Sequence, residues 1–93
     1  MIYAFVHLKI ADNDAMLAYR EKAGDALAKH GGGFVTVVPE PTRLEGPVTE
    51  PDMAGVLSFP DRESAMNWFK DPELAELHEK RRSIGESSII LLG

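Results

Sequence analysis

The sequence predicts an α+β domain in the order β-α-β-β-α-β. Three observations carry this. Residues 2–10, IYAFVHLKI, alternate with period two, as a strand does. The next twenty residues, ADNDAMLAYREKAGDALAKH, repeat their apolar side chains with helical period. Two more apolar runs, a second helical pattern and a final SSIILL then follow, separated by turn residues.

In the first strand, Ile2, Ala4, Val6, Leu8 and Ile10 face one way, and Tyr3, Phe5, His7 and Lys9 face the other. Tyr3 and Phe5 make the second face partly apolar too. A sheet with apolar residues on both faces needs covering on both. In the first helix, Asp12 or Asn13 can cap the first turn. Met16, Tyr19, Ala23, Leu27 and His30 then make one stripe. Gly24 costs this helix about 1 kcal/mol relative to alanine, and is expected to mark a close approach to the sheet.

The stretch KHGGGF, residues 29–34, invites a reading as a phosphate loop. Its order argues against that. A phosphate loop runs strand, glycines, helix, and places the anion at the helix N-terminus. Here a helix precedes the glycines and a strand follows, so an anion would meet the negative end of the dipole. Gly31 is instead the residue that ends the helix in the left-handed conformation. His30 stays a candidate for chemistry, with helix capping as its structural alternative.

GFVTVVP is the second strand, with Phe34, Thr36 and Val38 opposite Val35 and Val37. Pro39 and Pro41 interrupt it, and RLEGPVTEPD reads as a loop with a short extended piece at residues 43–45. MAGVLSF is the third strand. Asp61 caps a helix whose apolar contacts are Ala65, Trp68 and Phe69, and Asp71-Pro72 restarts it. Leu74, Leu77, Arg81 and Ile84 form the stripe of the continuation, Gly85 stops it, and SSIILL is the fourth strand. This is the ferredoxin-like split βαβ arrangement: a four-stranded antiparallel sheet with both helices on one face. The bare face is then expected to pair with a second copy, which closes a dimeric α/β barrel.

Ninety-three residues make one domain, spanning 1–93. A chain this short buries roughly 60–65% of its extended surface, so its core is thin. The net charge of −5 argues against a nucleic-acid partner. The basic run Lys80-Arg81-Arg82 is flanked by Glu79 and Glu86 and reads as a solvated helix face. There are no cysteines, which removes disulfides and thiolate chemistry and fits a reducing cytoplasm. No apolar run approaches the roughly 18 residues of a membrane span. The first residues lack the basic region and cleavage site of a signal peptide. The three histidines have no metal-ligand spacing, so no metal site is expected; no cofactor is assigned, and histidine count alone leaves a haem ligand open, with His78 as the helical candidate.

HGGGFV at 30–35, LEG at 44–46, LSFPDRESAMNWFKDPEL at 57–74, Arg81 and the terminal IILLG resemble the domain-of-unknown-function family thirteen-thirty, within the dimeric α/β-barrel superfamily. The resemblance covers nearly the whole chain. It implies a ferredoxin-like protomer dimerised through its sheet, but no reaction. The wider superfamily includes cofactor-free monooxygenases, muconolactone isomerases and haem-binding chlorite dismutases, and a shared fold does not transfer function. The chain departs from the family pattern at Gly33, where arginine is usual, at Val37 and Val38, where a second basic residue is common, and at Leu74, where tyrosine is common. If those groups bind an anionic ligand in relatives, the departures imply either that this chain has lost that ligand or that it binds a more apolar one.

His30, Glu45 and Arg81 match family positions and are the candidate catalytic residues. His30 would donate a proton. Glu45 would act as a base if burial raised its pKa. Arg81 falls on an apolar stripe, and is expected to pair with a carboxylate such as Glu45 or to hold a ligand's anion. Tyr3, Phe5, His7 and Trp68 are the candidate pocket residues, with plain core packing as the alternative for Trp68 and a hydrogen-bonded interface histidine as the alternative for His7. His78, in ELHEKRR, reads as exposed. Two function classes follow. One is a cofactor-independent enzyme of the monooxygenase or isomerase kind, acting on an apolar or aromatic small molecule. The other is a non-catalytic small-molecule binding or structural dimer module.

Overall fold

The computed structural model describes residues 1–47 and 50–93. Val48 and Thr49, part of the segment read as a loop, lie outside the described residues. The strands are β1 (Ile2–Leu8), β2 (Gly33–Pro39), β3 (Met53–Phe59) and β4 (Ser87–Leu92). They lie in the order β2-β3-β1-β4, with antiparallel neighbours throughout. The helices are α1 (Asn13–Lys29), α2 (Arg62–Lys70) and α3 (Ala75–Ile84), with a 3₁₀ turn at Pro72–Leu74 between the last two. This is the expected split βαβ order.

β1 stops at Leu8, two residues before the expected end, because its backbone changes partners there. The Lys9 N–H donates to the Glu86 carbonyl at 2.8 Å, and the Ile10 N–H to the Asp52 carboxylate at 2.7 Å. Within the strand the period-two reading holds. Ala4 and Leu8 are buried under the helices, and Ala4 pairs with Leu57 of β3. Tyr3, Phe5 and His7 register with Ser58, Val56 and Ala54 of β3 and with Leu92, Ile90 and Ser88 of β4. Paired residues share a face, so these form the open side of the sheet.

The alternation of β2 breaks at a bulge. Phe34 registers with Leu57, but the next partner, Val56, faces Thr36, which leaves Val35 as the extra residue. The extra residue shifts the phase of the rest of the strand. Phe34 and Val37 therefore share the helix side, while Thr36 and Val38 face the open side. The expected grouping of Phe34 with Thr36 and Val38 is corrected by this one residue.

Asp12 caps α1 by accepting from the Ala15 N–H at 3.0 Å. At the other end, the Gly32 N–H donates to the Leu27 carbonyl and the Gly31 N–H to the Ala28 carbonyl. Gly31 has φ of 74°. That is a Schellman termination, and it explains the first two glycines. Gly24, by contrast, is exposed with nothing near it, so it marks no approach to the sheet. Residues 43–45 form no strand, and Leu44 is 94% exposed.

Two apolar clusters hold the layers together. One gathers Leu27, Leu57, Phe59 and Trp68; the other gathers Leu8, Met16 and Ile84. Val6 packs against both. Phe69, expected in the core, is half exposed, while Ala65 and Trp68 are buried as expected.

Two glycine substitutions should move stability in opposite directions. In Gly24→Ala the new methyl meets nothing and gains about 1 kcal/mol of helix propensity. In Gly32→Ala the methyl would sit 2.7 Å from the Ser58 carbonyl oxygen and 2.9 Å from the Phe59 ring, which should cost about 1–3 kcal/mol. Urea unfolding followed by circular dichroism checks both. An unchanged midpoint for Gly32→Ala would contradict the close seating of this turn on β3.

Candidate functional site

A pocket of about 460 Å³ lies between the helices and the sheet. Leu57 and Trp68 reach it from one apolar cluster, and Leu8 and Met16 from the other. Edge strand β2 supplies the rim through Phe34 and Val37, which stay 48% and 45% exposed. The bulge at Val35 puts both on this side. The lining residues with polar side-chain groups are Tyr19, Arg20, Trp68 and Arg81; no aspartate or glutamate is among the described lining residues.

Arg81 and His78 are each only 3% exposed. They belong to one turn of α3, and with Ile84 they form the face pressed against the rest of the fold. The His78 Nε2 lies 3.0 Å from the Trp68 carbonyl, which can only accept, so Nε2 carries the proton. Nδ1 is then free to accept from Arg81 Nη1 at 2.6 Å. The imidazole stands edge-on to the Trp68 indole at 4.7 Å between centroids, and the guanidinium carbon lies 5.7 Å from the indole centroid. Burial first, and the Arg81 charge second, push the His78 pKa down; the Trp68 carbonyl opposes them. Arg81 Nε and Trp68 Nε1 are buried without a hydrogen-bond partner among the described residues.

This overturns two readings of ELHEKRR. Arg81 is not on a solvated face, and His78 is not exposed. The stripe reading that put Arg81 and Ile84 on one face holds, and His78 joins that face. Arg81 also has no ion pair among the described residues; Glu45, its expected partner, sits in an exposed bend.

His30 lies elsewhere. Its Nε2 donates to Asp71 Oδ2 at 2.9 Å, and Lys29 Nζ donates to the same oxygen at 2.7 Å. Asp71 Oδ1 accepts from the Glu73 N–H at 2.9 Å. The Lys29 hydrogen bond, then those of His30 and Glu73, hold the Asp71 pKa well below the usual carboxylate range. No hydrogen bond or ion pair joins any two of His30, Glu45 and Arg81 among the described residues. Of the four candidate pocket residues, Trp68 lines this pocket, while Tyr3, Phe5 and His7 lie across the sheet from it. Sequence reasoning missed Arg20 and His78. The available signals were the position of Arg20 next to Tyr19 on the α1 stripe and the i, i+3 spacing of His78 and Arg81.

The family pattern described as "Domain of unknown function (DUF1330)" matches residues 1–93, the whole chain. The protein belongs to this family. Among solved structures, the DUF1330 chain resembles the RPA0582 protein of unknown function from Rhodopseudomonas palustris. The two are 20% identical, with a TM-score of 0.79 over 98% of this chain and 79% of that one. A methylated RPA0582 protein gives a TM-score of 0.80 at the same identity, over 98% of this chain and 78% of that one. A dimeric ferredoxin-like protein of unknown function from Jannaschia sp. CCS1 is 12% identical, with a TM-score of 0.72 over 99% of this chain and 97% of that one. These likenesses establish the ferredoxin-like fold. No curated protein matches the chain.

The buried imidazole sets a pH dependence. The folded His78 pKa lies below its ordinary 6.5, so the unfolded chain takes up this proton first. The contribution to stability is fully present above about pH 6.5 and falls as the pH drops toward the lower folded value. Asp61 and Asp71, both lowered from 3.8, lose their contributions further down. The urea midpoint should therefore fall between pH 7.5 and pH 5. In His78→Gln, which keeps an acceptor for Arg81 and a donor for the Trp68 carbonyl, that slope should flatten. A slope that persists in the variant would show that another group produces it.

Proposed function

We propose that this DUF1330 chain forms a homodimer through the open face of its sheet and binds a small apolar or aromatic molecule in the pocket between sheet and helices. The pocket carries the reading. Protein interiors are close-packed, and a thin core has little reason to leave about 460 Å³ open unless something occupies it. The dimer is supported by the open face, where Tyr3, Phe5, Val38, Ile90 and Leu92 form an exposed apolar surface. The Jannaschia relative is described as dimeric. An enzyme of the cofactor-independent monooxygenase or isomerase kind would need His30, Glu45 and Arg81 to work in one place. With no hydrogen bond or ion pair linking them among the described residues, binding without turnover is the preferred role. No helix among the described residues is long and apolar enough to cross a membrane, and the lack of cysteine supports a cytoplasmic setting.

The neutral dye N-phenyl-1-naphthylamine tests the pocket. It should brighten on the parent protein and not on Val37→Trp, whose added ring fills the half-exposed rim without entering the core. Undiminished brightening in a folded Val37→Trp would place the dye elsewhere and remove the pocket from the proposal. For the dimer, the double change Phe5→Lys with Ile90→Lys puts two paired charges on the open face. Light scattering after size exclusion should read a dimer for the parent and a monomer for the variant. A parent that elutes as a monomer would refute the sheet-face interface.

A further inference from the structure

We infer that the pocket's occupant is a carboxylate on an apolar skeleton, its anionic end held by Arg81 and by the indole N–H of Trp68. This deepens the pocket reading above and rests on it.

The argument starts from a charge with no answer. A guanidinium does not give up its proton at any pH a protein meets, so burial cannot neutralise Arg81. Leaving a buried charge unpaired is costly, and folds avoid it by supplying a counter-charge. This chain has 15 acidic residues, and none forms an ion pair with Arg81 among the described residues. Its one hydrogen bond there is to the neutral face of His78, which supplies a lone pair but no charge. The tautomer is fixed by the Trp68 carbonyl, so the imidazole cannot turn to give anything more.

The rest of the lining points the same way. Among the described residues, Trp68 Nε1 is a donor without an acceptor, as is Arg81 Nε. Arg20 adds a second positive charge to the pocket wall. A purely apolar ligand would leave all of these unanswered, and a cation would be repelled. An anion with an apolar body satisfies both parts of the site: the body against Leu57, Met16 and Phe34, the charge at Arg81.

Arg81 and Trp68 both line the pocket, and a guanidinium fork suits the two oxygens of a carboxylate. A phosphoryl group brings more charge and more acceptor oxygens. The sites that take it usually add backbone N–H groups from a helix N-terminus or a glycine turn. The glycine turn of this chain is committed to ending α1. Of the three positions where the family pattern favours a basic residue, Val37 lines the pocket and is uncharged, so the lining cations are Arg20 and Arg81.

The test is a matched pair, 4-phenylbutyrate and 4-phenylbutanamide, titrated against the dye-loaded protein. They share a skeleton and differ in charge. The carboxylate should displace the dye about tenfold more tightly than the amide, as expected for a charge-assisted contact replaced by a neutral one. In Arg81→Gln that preference should vanish while the dye still binds. Should Arg81→Gln fail to fold, Trp68→Phe, which removes only a donor and some volume, should narrow the gap. Equal displacement by acid and amide on the parent would overturn the carboxylate while leaving the pocket in place. The carboxylate is likewise overturned if neither compound displaces a dye that Val37→Trp excludes. A dye that Val37→Trp fails to exclude would bring down the pocket reading, and this inference with it.

Discussion

A four-stranded sheet with apolar side chains on both faces has to hide both from water, and this chain has helices for only one. Period two in β1 makes the division sharp: Ala4, Val6 and Leu8 go under the helices, Tyr3, Phe5 and His7 to the other side. Everything else is arranged around that division. The helices run across one face and bury two clusters that meet at Val6. The opposite face leaves aromatic and aliphatic residues such as Tyr3, Phe5, Ile90 and Leu92 exposed. The edge strand β2 lies where helix cover gives out, and its half-exposed Phe34 and Val37 become the rim of a pocket rather than part of the core.

The polar interior of that pocket is unbalanced in sign. Buried arginines are normally tied off by carboxylates, and the tie is part of what makes their burial tolerable. Arg81 rests instead on an imidazole that burial keeps neutral, beneath an indole that supplies a π-face but no counter-charge. Stability and recognition are linked through this arrangement. The same unpaired groups that cost the empty protein energy would reward an acceptor brought in from outside. Satisfying them with a protein carboxylate would make the domain more stable and the pocket less selective.

How much of this was legible depended on which signal was local. Helix and strand order followed from periodicity, and the glycine turn after α1 from the order helix, glycines, strand. The cap at Asp12, the restart at Asp71-Pro72 and the stop at Gly85 needed only neighbouring residues. The bulge at Val35 left no mark, because a valine there reads as ordinary strand. One inserted residue then reversed which side chains of β2 face the helices. His78 was hidden by composition: with charge on both sides its helical face could be found only by counting from Arg81. Glu45 is a candidate base only if buried, yet the bend holding it reaches into solvent. Pairings across long sequence separations, such as His30 with Asp71, carry no local signature at all.

The Asp71 junction has a consequence for how such a sequence can change over generations. One carboxylate joins the last turn of α1 to the restart before α3, through Lys29, His30 and the Glu73 backbone. Loss of the acid strands two cationic or hydrogen-bonding partners more than forty positions away. Loss of either partner leaves the acid short of a donor. These positions are therefore not free to drift one at a time. Descendants that keep the fold should have inherited them as a set or exchanged them as a set, an epistatic knot linking distant stretches of an otherwise permissive helical surface.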